Sequence, residues 1–127
     1  MGAVVLDASA IIAFGDRDDP QHGHARRLAA EWAGPDRAAL LPASAYSECM
    51  VKPIERGMGA DMDQQLADFG IQVVPIDAAL ARAAAWARSQ RPSLRLPDAL
   101  VIATALAHDA ELVTLDRRMT EAFEALR

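Results

Sequence analysis

A chain of 127 residues has room for about one domain and a respectable hydrophobic core. Its 52% hydrophobic and 24% charged residues describe a soluble globular protein and exclude a disordered one. A net charge of −5 argues at first against a nucleic-acid partner.

The elements follow in chain order. Ala3 to Leu6 is a short aliphatic run that reads as a buried strand. Ala8 to Phe14 reads as a short helix, ended by Gly15 and the polar run Asp16 to Asp19. Asp19-Pro20 has the form of a helix start, an acidic cap followed by proline at the first helical position. That helix carries Ala25, Leu28, Ala29 and Trp32 on one face and stops at Gly34-Pro35. Ala39 to Leu41 is a weak second strand, and a helix follows from about Ala43 that Pro53 should kink or end. A helix over about 60–69 ends at Gly70, and Ile71 to Val74 is a third strand. Asp77 caps an alanine-rich helix with Leu80, Ala84 and Ala87 at helical spacing, which Pro92 ends. Pro97-Asp98 opens an apolar helix running to about Ala107, in which Leu96, Leu100, Val101 and Ile102 suggest burial. The run Leu112 to Leu115 is a fourth strand, and Asp116 caps a last helix ending near Leu126.

Strands separated by helical segments of this length imply βαβ units. The expected fold is therefore a single α/β domain over residues 1–127, three-layered (α/β/α), with a central, mainly parallel sheet of 4–5 strands. No apolar stretch approaches the roughly 20 residues that span a bilayer. The N-terminus shows neither a basic n-region nor an apolar signal core. A cytoplasmic location without a membrane partner is the expectation.

Cys49 is the sole cysteine, so intramolecular disulfides and a thiolate metal site are ruled out, and it reads as a small buried hydrophobe. His22, His24 and His108 all read as surface residues, the first two pointing to different helix faces. The chemistry therefore falls to the acids. Asp7 and Asp116 each follow an aliphatic strand, 109 residues apart. In open α/β sheets ligands sit at the carboxyl ends of strands. Two carboxylates meeting there repel unless a proton or a cation separates them. Capping explains either aspartate alone. Asp98 lies in the first turn of an otherwise apolar helix with no basic residue adjacent on that turn, so a helix-dipole role and a site role stay equally open. Glu48 sits in the mainly apolar helical segment Ser44-Ala-Tyr-Ser-Glu-Cys-Met-Val, where a mid-helix glutamate ordinarily faces solvent. An all-oxygen site favours Mg²⁺ or Mn²⁺ over zinc. Once these four acids are set aside, 14 remain against 13 basic residues, so the charge is compatible with RNA without predicting it. Twelve of those 13 are arginine, a bias that suits phosphate contact and that GC-rich codon usage also produces.

Taken in order, V-V-L-D-A-S-A-I-I-A, Y-S-E-C, L-R-L-P-D-A-L-V-I-A-T-A and L-V-T-L-D-R-R-M resemble the motifs of PIN-domain ribonucleases, specifically VapC-type toxins, over essentially the whole chain. The resemblance implies a metal-dependent endoribonuclease with an acidic pocket for Mg²⁺ or Mn²⁺ made by Asp7, Glu48, Asp98 and Asp116. It implies supporting hydroxyls at Ser9 and Thr114, whose local alternatives are a helix cap and a good strand former. It also implies an RNA substrate, a VapB-like protein antitoxin and a homodimer. Two departures stand out. Arg117 and Arg118 occupy positions where some relatives carry a further acid, and Pro53 follows Glu48 closely. Arg56, Arg117 and Arg118 are candidates for RNA phosphates or for plain solvation. Two rivals remain. A dehalogenase-like phosphatase would carry an aspartate where Ser9 stands, and a silent PIN-like binding module would bind no Mn²⁺.

Overall fold

The structure is a computed structural model that describes residues 2–32 and 34–127. Four strands form one sheet: β1 (Ala3–Leu6), β2 (Ala38–Pro42), β3 (Ile71–Val74) and β4 (Glu111–Val113). Their order is β3-β2-β1-β4 and every pairing is parallel, with Val5 opposite both Leu40 and Leu112. Seven helices connect them: α1 (Ala8–Gly15), α2 (His22–Trp32), α3 (Ala43–Glu55), α4 (Gly59–Asp68), α5 (Ala78–Gln90), α6 (Leu96–Ala107) and α7 (Arg117–Leu126).

Val4, Val5 and Leu6 are all fully buried. Successive strand residues point to opposite faces, so both faces of the sheet are covered and the layering is α/β/α. β1 and β2 lie in the middle, which is why Ala39 to Pro42 are buried although β2 reads weakly as a strand. The α6 residues Val101, Ile102, Ala103 and Ala105 pack into this core. Burial of each large aliphatic among them contributes about 1.5–3 kcal/mol.

The chain moves outward from β1 through β2 to β3, then returns to the other side of β1 for β4. The reversal makes the crevice between the carboxyl ends of β1 and β4 the topological switch point, where ligands bind in such sheets.

Several boundaries differ from the sequence reading. Helix α2 starts at His22 because Asp19 spends its side chain on a turn, accepting from the Gln21 amide at 2.8 Å. Pro53 falls in the last turn of α3 and removes only the donor that would face the Cys49 carbonyl, so the helix runs on to Glu55 undisturbed at Glu48. Leu96, at the first position of α6, is half exposed. Strand β4 stops at Val113, leaving Thr114 and Leu115 in the connection to α7. His22 is half-buried and its Nδ1 meets the Ala13 carbonyl at 2.9 Å, so it ties α2 to α1, whereas His24 and His108 are exposed. No described helix is long and apolar enough to cross a membrane.

Candidate active site

Asp7 is the first residue after β1, and its amide continues the ladder by donating to the Val113 carbonyl at 2.9 Å. The carboxylate is thereby fixed at the switch point, 9% exposed. Its Oδ1 accepts from the Ala8 amide at 2.9 Å, an N-cap of α1. Its Oδ2 accepts from the Ser9 hydroxyl at 3.0 Å and the Thr114 hydroxyl at 2.9 Å. Each hydroxyl has one proton, and both are committed to Asp7. The hydroxyl oxygens in turn accept backbone amides: Leu115 donates to Ser9 Oγ at 3.2 Å, and Asp116 to Thr114 Oγ1 at 3.1 Å. Ser9 and Thr114 therefore clamp the β4–α7 connection onto Asp7 rather than serving as a cap and a strand former.

Burial pushes the Asp7 carboxyl above its ordinary value, its three hydrogen-bond donors pull the other way, and the charge of Asp98 adds to the rise. Glu48, on α3, stays open to solvent. Its carboxyl is also raised, first by partial desolvation, then by Asp7 and Asp98, with Arg95 opposing. Cys49 beside it is buried, and its thiol is pushed up to about 12 by that burial and by the Glu48 and Asp7 charges. Asp7, Glu48 and Asp98 thus share one electrostatic neighbourhood, delivered by β1, α3 and α6 respectively.

Asp98 is not without a basic neighbour. Arg95, the residue that precedes α6, reaches forward one turn so that its Nε lies 3.4 Å from Asp98 Oδ2. The Arg95 side chain is 76% exposed and lies in the field of Glu48 and Asp116 as well. The i, i+3 spacing across a helix start carries this pair in the sequence. Asp116 is exposed and its Oδ1 accepts from the Arg118 amide at 2.9 Å, capping α7. It stands three residues beyond β4 rather than at the strand's end.

Whether these residues suit a divalent cation follows from their chemistry. The donors are all carboxylate or hydroxyl oxygens, as Mg²⁺ and Mn²⁺ require. Two of the carboxyls are raised partly by other acids of the set, a repulsion that a cation relieves. The Ser44 hydroxyl, one helical turn before Glu48, is buried with no hydrogen-bond partner among the described residues. Residues four apart share a helix face, so this open oxygen lies alongside Glu48. The acids share a field without being drawn into a coordination shell: among the described residues no three His, Cys, Asp or Glu side chains are gathered closely enough to hold a metal ion.

Arg56 caps the C-terminal end of α3, eight residues past Glu48 and so about 12 Å further along the helix. It is remote from this sheet edge. Arg118 lines the cleft beside Asp98 and Asp116, and Arg117 a second cleft beyond Asp116.

Three solved structures share this architecture. A toxin–antitoxin complex from Klebsiella pneumoniae matches with a TM-score of 0.74 at 23% identity, covering 89% of this chain and 86% of that one. Mycobacterium tuberculosis VapC20, described as a sarcin–ricin loop cleaving toxin, matches at 0.72 and 21%, with 94% of each chain covered. VapBC2 from Rickettsia felis, bound to a DNA fragment from its promoter, matches at 0.70 and 12%, covering 94% of this chain and 91% of that one. No curated protein sequence matches significantly. The PIN domain family model spans residues 4–124, from the first buried residue of β1 to the last turn of α7, and the chain belongs to the PIN-domain family.

Proposed function

We propose that this chain is a metal-dependent endoribonuclease of the VapC toxin type, held inactive by a VapB-like protein antitoxin. The observation that carries the reading is Asp7: a carboxylate buried at the switch point, gripped by Ser9 and Thr114, with Glu48 and Asp98 in its field. A charge so placed is costly unless a partner offsets it. Asp7, Glu48 and Asp98, which stand too far apart to form a coordination shell as they are, would supply ligands to Mg²⁺ or Mn²⁺ only once drawn together around it, with Asp116 the fourth acid at the cleft. Held there, such an ion would supply a water of lowered pKa and would offset charge developing on the phosphoryl oxygens.

The residues exclude a covalent route. Cys49 is a buried thiol pushed to about 12, and the Ser9 proton is committed to Asp7. In this reading water is the nucleophile: its oxygen bonds to phosphorus, the bond to the ribose oxygen breaks, and the proton that water gives up ends on that leaving oxygen. Asp7 orients by being immobile, since three donors fix it. The substrate is cellular RNA, whether tRNA, rRNA or mRNA, a class supported by the description of VapC20 as a toxin that cleaves the sarcin–ricin loop. The antitoxin is supported by the Klebsiella structure being a toxin–antitoxin complex. A homodimer completes the reading. Leu80, Ala84 and Ala87 of α5 turn into the core while Trp86 on the same helix stays 47% exposed and available to a second copy.

Incubation of the purified protein with total RNA and Mn²⁺, followed by sequencing of the new 5′ ends, tests this directly. Defined cuts that require the metal and vanish in Asp7→Asn and Asp98→Asn are the expected result. Full activity in either variant refutes the assignment. The wide spacing of the acids and the Arg95–Asp98 pair favour one other reading, a PIN module that binds without cutting. Calorimetric titration decides between them, because a silent module takes up no Mn²⁺.

A further inference from the structure

Among the described residues Arg95 is the only basic side chain that forms an ion pair with any of the four acids. Its backbone is pinned on both sides. Leu94 before it is buried, donates its amide to the Arg91 carbonyl at 3.0 Å and accepts from Arg88 Nε at 2.9 Å. The Arg95 carbonyl accepts from the Ala99 amide at 2.9 Å, closing the first turn of α6. The side chain is held far less firmly, by one contact of 3.4 Å to Asp98, and it is mostly exposed. An exposed pair at such a distance stabilises a fold little. Beside it a cleft of about 440 Å³ opens between the α5–α6 connection and the start of α7, with room for the guanidinium to turn away. Arg91, Arg95 and Arg118 face Asp98, Asp116 and Glu121 there, so the cleft itself is balanced in charge. The surplus lies further in, where Asp7 and Glu48 join Asp98 and repel one another. Arg95 is the cation that opposes this at Glu48, and it acts on Asp116 as well. It touches one acid and lies in the field of two more, which come from α3 and from the β4–α7 connection.

From this arrangement we infer that Arg95 is the resident counter-ion of the acidic site: in the metal-free chain its guanidinium stands against Asp98, and a divalent cation binds by displacing it into the adjoining cleft. Because the backbone on either side is fixed, the displacement is a rotamer change of one side chain and needs no refolding. Arg95 then sets how much metal the site requires, since the ion must compete with it for Asp98. The spread of the acids follows from the same cause, because a monovalent cation bound to one carboxylate gives the others nothing to close around. A plain surface pair makes the opposite prediction: loss of Arg95 would leave metal uptake alone, or weaken it by loosening Asp98. The inference rests on the metal-dependent ribonuclease reading and adds to it a residue that holds the metal's place.

Calorimetric titration of the full-length protein with Mn²⁺ tests this, with the parent and three variants side by side. Arg95→Gln should bind Mn²⁺ roughly five- to tenfold more tightly, the scale of lifting one positive charge from beside a divalent ion in a solvent-rich site. Arg95→Lys keeps a cation at that position and should stay within about twofold of the parent. Arg91→Gln makes the same charge change in the same cleft without the Asp98 contact, and screening should hold it within about twofold too. The rise in Tm on adding Mn²⁺ should be larger in Arg95→Gln than in the parent, as tighter binding to the folded state requires. Unchanged or weaker Mn²⁺ binding in Arg95→Gln overturns the inference while leaving the ribonuclease reading intact. Equal tightening in Arg91→Gln overturns it as well, since the effect would then be one of general charge. Failure of the parent and every variant to bind Mn²⁺ overturns both. Tighter binding by Arg95→Gln in a protein that cuts no RNA upholds the counter-ion and overturns the ribonuclease reading alone.

Discussion

Asp7 and Asp116 look like twins in the sequence, each an aspartate after an aliphatic strand and before a helix, and the fold makes them opposites. Asp7 is buried, accepts from three donors, and belongs to the strand ladder through its own amide. Asp116 is exposed and caps α7 with one oxygen. The difference lies in position within the sheet. β1 is central and flanked on both sides, so whatever follows it is walled in, while β4 is an edge strand that ends three residues before its aspartate. The cap explanation holds for both side chains, since each accepts from an amide at its helix start. Only Asp7 has further donors that a cap does not need.

Substituting each aspartate breaks or sharpens this contrast most strongly. Asp7→Asn should reduce Mn²⁺-dependent RNA cleavage by about 10³-fold or more, the scale of losing about 4 kcal/mol of transition-state stabilisation. Asp116→Asn keeps an equally good cap and should cost about tenfold, as an indirect partner does. Initial rates on one RNA at fixed Mn²⁺ give both values. Equal losses would erase the distinction.

The clamp comes next in size. Thr114→Val removes one of the two hydroxyl donors to Asp7 Oδ2 and strands the Asp116 amide that Thr114 accepts. Ser9→Ala removes the other and strands the Leu115 amide. Each should lower Mn²⁺ affinity about 10- to 100-fold, the ordinary cost of losing a group that orients a ligand. Ser9→Ala should also destabilise the fold by about 1–3 kcal/mol, since the partly buried Leu115 amide loses its acceptor, and Thr114→Val by less, since the Asp116 amide is exposed to water. Thr114→Ser keeps the hydroxyl and should recover most of both. Calorimetric titration and urea unfolding separate the two effects.

Much of this was legible before the fold. Period and punctuation place the four strands and seven helices, because buried parallel strands read as aliphatic runs and Gly70, with φ of +70°, ends α4 as only a left-handed position does. Asp77 caps α5 through the Leu80 amide as its position suggests. What escaped were pairings across the fold. That Ser9 and Thr114 hold the same oxygen, 105 residues apart, depends on β1 and β4 being neighbours, and strand order is not written in any local pattern. Arg95 was legible by its i, i+3 spacing to Asp98, yet a residue before a helix is easily read as loop. Arg91 carried no local signal, because only the meeting of the α5–α6 connection with α7 gives it a cleft to face.

The smallest effect is the most diagnostic of burial. Because the Asp7 carboxyl is raised in the folded state, unfolded chains release its proton first as the pH climbs above the ordinary value of 3.8. The folded state binds more protons over that window, so stability falls with rising pH until the folded group has also ionised, and the deficit then persists through neutrality. Asp7→Asn removes the ionisation. Its Oδ1 still accepts from Ala8, and its amide nitrogen donates to the Ser9 and Thr114 oxygens once their hydroxyls turn. The variant should therefore be at least as stable as the parent at pH 7 in metal-free buffer, and its advantage should vanish as the pH falls toward 3.8. Glu48→Gln should show the same sign more weakly, since solvent reaches that carboxyl. Asp116→Asn should stay within about 0.5 kcal/mol of the parent, as surface substitutions do. Urea midpoints at several pH values, read with chelator present, decide it: an Asp7→Asn variant that is less stable at pH 7 would mean the three donors outweigh the burial, and the strain attributed to this carboxylate would not exist.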